Sequence, residues 1–530
     1  MRPFDALGSV YVLQRARLFR PTRPDEALQS LYSIRRLGVW AGAMRVAARR
    51  DPNVIGLVDD LGALTFNQLD RRSNALARAW LEDGLNSGDV IGILCRNHRG
   101  FLDAIFACGK IGARAVLLNT GFAARQLAEV AAREGVSAIV YDQEFTPVVA
   151  ALPRSVTRYL AWINVAAAVD QPTVERLIAT TENEDLPPPR RAGGVVLLTS
   201  GTTGVPKGAP REVRTPMVSA EFLDHIPYRR NEATMICAPI FHGIGLSQLV
   251  ITLAMASTTV LSRRFDPATT LARIDRNRCA ALVVIPTMLQ RILDLGKSVL
   301  AKYATSSLRI ILCSGSALAP ELGNRAIRAF GPVIYNLYGS TEVAVATIAT
   351  PRDWRRAPGT VGKSPVGCRV RLYDDNGRVV SKPYQRGRVY VTSGLKFGGY
   401  TGGDSKDEIH GLMSTGDVGH LDKHGLLFID GRADDMIVSG GENVYPGEVE
   451  NLLVAHPAIN DAAVVGVPDA EFGQRLKAFV VLEPRARLSP EEIQGYVKHY
   501  LARFKAPREV AYLHELPRNP TGKLLRDLLQ

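Results

Sequence analysis

The chain has 530 residues, 46% hydrophobic and 22% charged, with a formal net charge of +13. That length exceeds what one core supports, so two or more domains are expected, and the composition is that of a soluble globular protein. No apolar run approaches the roughly 18 residues of a membrane-spanning helix, and Arg15, Arg17 and Arg20 interrupt the only stretch that could serve as a signal-peptide core.

Taken in order, residues 1–50 carry ten arginines against Asp5, Asp25 and Glu26, a balance of +7. Val12, Leu13, Leu18, Phe19, Leu31, Trp40 and Met44 are interleaved with them. Two readings stand side by side: a surface that lies on an anionic membrane, or a solvated extension folded onto the main body. Nucleic-acid binding is disfavoured, because no recognised module accompanies the charge. Cys95, Cys108, Cys237, Cys279, Cys313 and Cys368 have no paired spacing and mostly sit in apolar runs, which predicts buried thiols in a reducing cytoplasm.

From residue 53 the pattern is regular. Apolar runs at 54–58 and 63–66 bracket Asp59-Asp60-Leu61-Gly62 and predict a β-hairpin. Thr65 is the expected cap of a helix whose Leu69, Ala75, Leu76, Ala79 and Trp80 make an apolar face. Strands over 90–95, 115–118 and 137–141 alternate with helices over 100–112 and 123–134, which predicts a parallel sheet covered on both faces. A Pro/Arg-rich loop then leads to the strand 195–198. After it come strands over 234–240, 258–261, 281–285 and 308–312, a helix over 246–255, and a helix opened by Pro320 and Glu321. From Gly359 onward short strands and the turn Asp374-Asp375-Asn376-Gly377 predict a β-rich subdomain, and beyond Arg432 the pattern is mixed α+β.

The strand 195–198 delivers Thr199-Ser200-Gly201-Thr202-Thr203-Gly204-Val205-Pro206-Lys207-Gly208, with three glycines, four hydroxyls and one lysine. Backbone N–H groups, hydroxyls and an ammonium are what close wrapping of a polyphosphate requires. A Walker A loop is excluded, because Lys207 follows Pro206 and precedes Gly208 instead of opening a helix. Taken alone, the stretch reads as a nucleotide loop, with an ordinary Gly/Thr-rich turn as the alternative. Asn336-Leu337-Tyr338-Gly339-Ser340-Thr341-Glu342 follows the strand 333–335 and offers a flat aromatic, hydroxyls and a carboxylate for a base, a phosphate and Mg²⁺. Asp417 and Arg432 have the chemistry to hold two sugar hydroxyls, and Lys523 on a glycine-containing turn could neutralise charge growing on a transferring phosphate, although taken alone it reads as a solvated lysine. A metal hydrolase is disfavoured, since Asp422-Lys423-His424-Gly425 reads as a turn that keeps His420 and His424 off one helical face. No Gly-x-Ser-x-Gly elbow supports a serine hydrolase.

The 199–208 run closely resembles the phosphate-binding signature of the acyl-adenylate-forming superfamily, which includes acyl-CoA synthetases, peptide-synthetase adenylation domains and firefly-type luciferases. Four further motifs match in order: 336–342, Ser414-Thr415-Gly416-Asp417, Asp430-Gly431-Arg432, and Arg518-Asn519-Pro520-Thr521-Gly522-Lys523. The whole chain is most similar to actinobacterial fatty-acid–CoA ligases. The resemblance implies an α/β fold: a basic extension (1–50), a large domain of parallel α/β sheets with a β-rich subdomain (51–433), and a small mobile α+β C-terminal domain (434–530).

It also implies ATP, Mg²⁺ and coenzyme A as cofactor and co-substrates. Thr199, Ser200, Gly201, Thr202, Thr203, Gly204 and Lys207 would wrap the phosphates. Gly315, Ser316, Ala317, Asn336, Leu337, Tyr338 and Gly339 would frame the adenine, and Thr341 would meet the α-phosphate. Glu342 and Thr199 would hold Mg²⁺, Asp417 and Arg432 the ribose, and Asp434 would be the hinge. Lys523, Glu342, His242 and Thr202 are the expected catalytic residues, and Gly440 and Gly441 would line the pantetheine tunnel. The acid pocket falls to His242, Ile244, Gly245, Leu246, Gly315, Val343 and Ala344. Amino-acid-activating relatives have an aspartate where Phe241-His242-Gly243 stands; its absence here, with several small residues, points to a medium- or long-chain fatty acid. A fatty-acyl-AMP ligase serving a carrier protein and an aromatic-acid–CoA ligase are the alternatives. The expected setting is the cytoplasm, at the membrane periphery if the basic head docks there, with a homodimer as the candidate assembly. Ala209-Pro210-Arg211-Glu212 departs from the family pattern, since many relatives carry a Thr-His pair after the loop.

Overall fold

The computed structural model describes residues 3–18, 24–164, 171–199, 206–211, 218–394, 397–403, 405–439, 442–469, 473–520 and 522–529. Alternating strands and helices build two sheets whose inner strands are buried on both faces, as continuous apolar runs such as Val195–Leu198 and Ala281–Val284 require. One sheet runs, in spatial order, Thr157–Trp162, Ala138–Asp142, Val90–Leu94, Arg114–Leu117, Val195–Leu198 and Gly208–Arg211. Its strands are parallel except for the last pair. The other runs Thr347–Ala349, Ile334–Tyr338, Ile310–Cys313, Ala281–Val284, Ala233–Ile236, Thr258–Leu261, Ile55–Asp59 and Gly62–Thr65, parallel except for its two end pairs.

Local signals produce the elements they predict. Thr65 caps the helix Phe66–Glu82 in a reciprocal box with Gln68, at 3.2 and 2.8 Å, and the helix Arg99–Ile111 stops at Gly112, where φ is +77°. One expectation shifts: Tyr338 is the last residue of its strand rather than part of a following loop. Gly208–Arg211, for which no element is expected, is a strand despite Pro210, because it lies on a sheet edge where Pro210 faces solvent.

Arg369–Tyr373, Gly387–Thr392, Glu408–Ile409, Leu412–Leu421 and Leu427–Arg432 form the expected antiparallel β-rich sheet. The chain then enters a five-stranded C-terminal unit, whose helices Pro446–Val454 and Pro490–Tyr500 pack on the strands Ile459–Asp469 and Gly473–Leu482. Gln290, on a helix of the large part, donates to the Asn460 carbonyl at 3.0 Å and ties the two parts together. All six cysteines are free and buried, and no helix among the described residues is long and apolar enough to cross a membrane.

The basic head is folded onto the body. Helix Pro3–Arg15 buries Val12 and Leu13 against helix Ser219–Leu223, and helix Pro24–Arg50, kinked at Gly38 (φ +78°), carries Trp40 and Met44 into the main core. The approach is close: a Cβ on Gly109 would stand 2.5 Å from the Leu37 carbonyl oxygen. Arg45 is buried with its charge met by Asp70 at 3.3 Å and Asp185 at 2.5 Å. Val12, Leu13, Trp40 and Met44 therefore do not form a membrane-facing surface, and Phe19 lies outside the described residues. The large apolar side chains that face outward on these helices are Leu7, Tyr11, Leu28 and Tyr32.

Glu221 is buried on helix Ser219–Leu223, where one carboxylate oxygen accepts the Gly394 N–H at 2.5 Å and the other has no partner among the described residues. Burial pushes its carboxyl from the ordinary 4.5 up to about 7, the Gly394 and Cys368 contacts offsetting only part. The folded state thus holds a proton that the unfolded chain releases, so this contribution to stability is full below pH 4.5 and is lost as pH rises through 7. Glu221→Gln is expected to flatten that slope. Chemical denaturation at pH 5 and pH 8 should show the variant gaining on the wild type by about 2–3 kcal/mol between the two conditions.

Candidate active site

The strand ends of both parallel sheets, the β-rich sheet and the C-terminal unit converge on a cavity of about 1530 Å³. On one side the strand Ile334–Tyr338 ends at Tyr338, whose hydroxyl donates to Asp417 Oδ2 at 2.5 Å. The chain folds back tightly there: a Cβ on Gly339 would lie 2.0 Å from the Ala344 carbonyl oxygen. Asp417 and Arg432 are cross-strand partners in the β-rich sheet, 3.7 Å apart, and Gly416 (φ +79°) leaves room for the guanidinium. Burial pushes the Asp417 carboxyl up, against the pull of the Tyr338 hydroxyl and Arg432. Arg432 also makes two hydrogen bonds to Asp434, at 3.0 and 3.1 Å, so the expected ribose pair and the expected hinge residue are one network. Gly315 (φ +98°), Ser316 and Ala317 line the same side from the end of strand Ile310–Cys313. Asn336 and Leu337 also border the cavity, but the Asn336 amide is committed to the Thr360 carbonyl at 3.0 Å and Leu337 is core.

The strands on either side of the glycine-rich segment, Val195–Leu198 and Gly208–Arg211, pair antiparallel, so Lys207 immediately precedes a strand and not a helix. Thr199 N–H donates to the Lys207 carbonyl at 2.9 Å and Lys207 N–H to Thr199 Oγ1 at 3.3 Å. Ser200, Gly201, Thr202, Thr203 and Gly204 lie outside the described residues, as do Gly440 and Gly441. The Lys207 ammonium stands 5.5 Å from the centre of the Tyr400 ring, and the Tyr400 hydroxyl donates to Glu342 Oε1. Burial alone would push the Glu342 carboxyl up; Tyr400, Ser340 and Lys406 outweigh it and hold it below its usual value. A buried, ionised carboxylate and the Thr199 hydroxyl are hard oxygen donors, and they fit Mg²⁺. Thr341 lines the cavity beside Glu342.

Lys523 reaches the cavity from the C-terminal unit. Its turn is closed by Gly522 N–H to the Asn519 carbonyl at 2.8 Å and Lys523 N–H to Asn519 Oδ1 at 2.9 Å. Gly522 (φ +77°) packs so closely on the large part that a Cβ would lie 2.9 Å from Ile285 Cδ1. Burial and Arg432 lower the Lys523 ammonium pKa, while Asp435, Asp417 and Asp434 raise it, so the lysine shares one electrostatic field with the Asp417–Arg432 pair.

At the far side the cavity turns apolar. Ile244 and Leu246 open helix Gly243–Ala254, whose Gly245 sits so near the backbone that a Cβ would be 2.3 Å from the Pro239 oxygen. Ala344 borders this side, while Val343 is buried in the neighbouring core. His242 packs on Phe241 with ring centres 4.5 Å apart; its Nε2 has no partner among the described residues, and burial pushes the imidazole down to about 4, leaving it neutral. Val39 and Trp40 from the basic head reach this region, which no motif signals. Tyr400, in a Gly-Gly-Tyr-Thr loop, also lines the cavity without a sequence assignment. His420 pairs with Asp430 at 3.0 Å and stacks on Phe428, so it is no metal ligand with His424. Among the described residues Cys95, His98 and Asp142 cluster, but both His98 nitrogens are used, by Gly100 N–H and by Asp142.

A carboxylate–guanidinium pair, an acidic oxygen site, a converging lysine and an apolar annex together define an enzyme that activates a carboxylic acid with ATP. The chain belongs to the AMP-binding enzyme family: residues 44–401 match that family and residues 448–523 match the AMP-binding enzyme C-terminal domain. It is 31% identical to a feruloyl-CoA synthase from Amycolatopsis sp over 90% of this chain and 96% of the relative. It is 29% identical to the fatty acid–[acyl-carrier-protein] ligase ScoC of Streptomyces coeruleorubidus over 90% and 93%. The o-succinylbenzoate CoA synthetase of Bacillus subtilis, solved with its acyl-adenylate, superposes with a TM-score of 0.80 at 28% identity, covering 92% of this chain and 97% of that one. The same enzyme has also been solved with ATP and magnesium.

Tyr338→Phe removes the hydroxyl that supports a buried carboxylate and leaves the ring in place. The expected result is an apparent KM for ATP about fivefold to tenfold higher, the equivalent of one net hydrogen bond, measured by pyrophosphate release.

Proposed function

We propose that the protein converts a medium- or long-chain fatty acid first to acyl-AMP and then to acyl-CoA. In the first step a carboxylate oxygen attacks the α-phosphorus of ATP, the bond to the bridging oxygen breaks, and pyrophosphate leaves. In the second a CoA thiolate attacks the acyl carbon of the mixed anhydride, AMP leaves, and the thiol proton has gone to solvent. Asp417 and Arg432 hold the ribose hydroxyls, Tyr338 and the Gly315–Ala317 wall hold the adenine, and Lys207, Thr199 and Thr341 face the phosphates. Lys523 bridges the incoming carboxylate and the α-phosphate, where negative charge grows. Mg²⁺, held by Glu342 and Thr199, would supply neutralisation of the phosphate charge. The neutral His242 closes the acid's end of the site without adding charge. The single observation behind this reading is that Lys523 and the Asp417–Arg432 pair, from separate parts of the chain, border one cavity.

The apolar annex lined by Val39, Trp40, Phe222, Leu246, Val250 and Ile251 favours an extended hydrocarbon. An aromatic acid is the second reading, favoured by the similarity to a feruloyl-CoA synthase. Contact with an anionic membrane would use Leu7, Tyr11, Leu28 and Tyr32 with the neighbouring arginines, and would suit collection of a lipid-borne acid. The test is turnover of straight-chain acids from butanoate to stearate, beside ferulate and benzoate, with ATP and Mg²⁺, with and without CoA. CoA-dependent AMP release peaking within the fatty series is the expected result. A higher kcat/KM for ferulate would move the assignment to aromatic acids, and pyrophosphate release without thioester would move it to a carrier-protein acceptor.

A further inference from the structure

Arg211 ends the edge strand Gly208–Arg211 and is 4% exposed, yet neither of its terminal nitrogens has a hydrogen-bond partner among the described residues. The other two arginines buried to this degree are answered by carboxylates: Arg45 by Asp70 and Asp185, and Arg99 by Asp59. A buried guanidinium without a counter-group is costly, and such groups are normally paired. Arg211 borders the active-site cavity. The anionic or acidic groups that bear on it are Glu342 and Tyr400, and these are already joined to each other through the Tyr400 hydroxyl. Burial pushes the guanidinium down to about 10, with Glu342 and Tyr400 pulling it back, so it stays charged at neutral pH.

A buried planar fork of N–H donors at the cavity's border matches the two oxygens of a carboxylate or a phosphate far better than any neutral ligand. We infer that Arg211 is an oxyanion-binding residue of this site, receiving the carboxylate of the acid or a phosphate oxygen of ATP. The inference rests on the adenylation reading and gives the departure from the family pattern at 209–212 a function. Arg211 follows the phosphate hairpin by three residues from Gly208 and stands beside the proposed magnesium carboxylate, so either oxyanion lies within the region it serves.

The test uses the full-length protein, Arg211→Met and Arg211→Lys, and reads the rise in melting temperature with MgATP, with sodium pyrophosphate, and with octanoate and benzoate. Because neither terminal nitrogen has a hydrogen-bond partner to lose among the described residues, Arg211→Met is expected to melt within about 2 °C of the wild type, or higher, without ligand. Arg211→Lys keeps a charge but not the fork, and serves if the methionine variant does not fold. The ligand-induced rise should fall by at least half in Arg211→Met and by less in Arg211→Lys. Loss with MgATP and pyrophosphate identifies a phosphate oxygen as the partner. Loss confined to the carboxylates identifies the acid, whose KM should then rise about tenfold while kcat changes little. Equal rises in all three proteins with every probe, or no rise in the wild type with any, would overturn the inference. The adenylation reading fails separately, if the wild type releases no pyrophosphate with any acid.

Discussion

Arg432 stands between two carboxylates and holds both. One, Asp417, is buried in the β-rich sheet and carries the Tyr338 hydroxyl on its other oxygen; the second, Asp434, lies two residues on, where the chain leaves that sheet. A guanidinium has only five N–H donors in a fixed plane, so its orientation toward one acid constrains its orientation toward the other. On the proposed reading this makes the nucleotide site and the hinge a single electrostatic unit: turning the C-terminal unit about Asp434 would disturb the bidentate pair and, through it, the ribose carboxylate. Gly416 is a condition of the arrangement, because a Cβ there would press within 3.0 Å of the guanidinium.

The other side of the cavity follows from strand topology. A loop that joins antiparallel strands presents backbone N–H groups without a helix dipole, so the positive charge has to come from side chains. Lys207 before the edge strand, Arg211 on it, Lys406, and Lys523 from the C-terminal unit border one cavity with the buried Glu342, on which Lys406 and Arg211 bear. Cations beside an ionised carboxylate suit a polyphosphate brought in with a divalent cation.

Much of this was legible in the sequence, and the reasons for the remainder are physical. Thr65 with Gln68, the strand runs around Val90 and Val195, and Pro320 at a helix start are local signals, and local structure obeys them. That Pro210 sits in a strand is not legible locally, because a proline forbids a central strand but not an edge one, and strand order is not written in the local pattern. Trp40 and Met44 fitted either a membrane-facing helix or an extension folded onto the body; that Arg45 would be buried between Asp70 and Asp185 depends on residues 25 and 140 positions away. The contact from Tyr400 to Glu342 spans 58 residues and has no periodic or capping signature. Arg211 stood out in sequence only as a departure from a pattern; that its terminal nitrogens are buried without a hydrogen-bond partner among the described residues is a fact of packing.

The central claim is that Lys523, carried in by the C-terminal unit, serves the adenylation step and not the thioester step. The most direct measurement assays the two half-reactions apart in Lys523→Ala: pyrophosphate release from ATP and acid, and thioester formation from supplied acyl-adenylate and CoA. The account predicts that the first falls by about a hundredfold or more while the second stays within a fewfold of the wild type. Equal loss in both, or an unaffected first step, would contradict it.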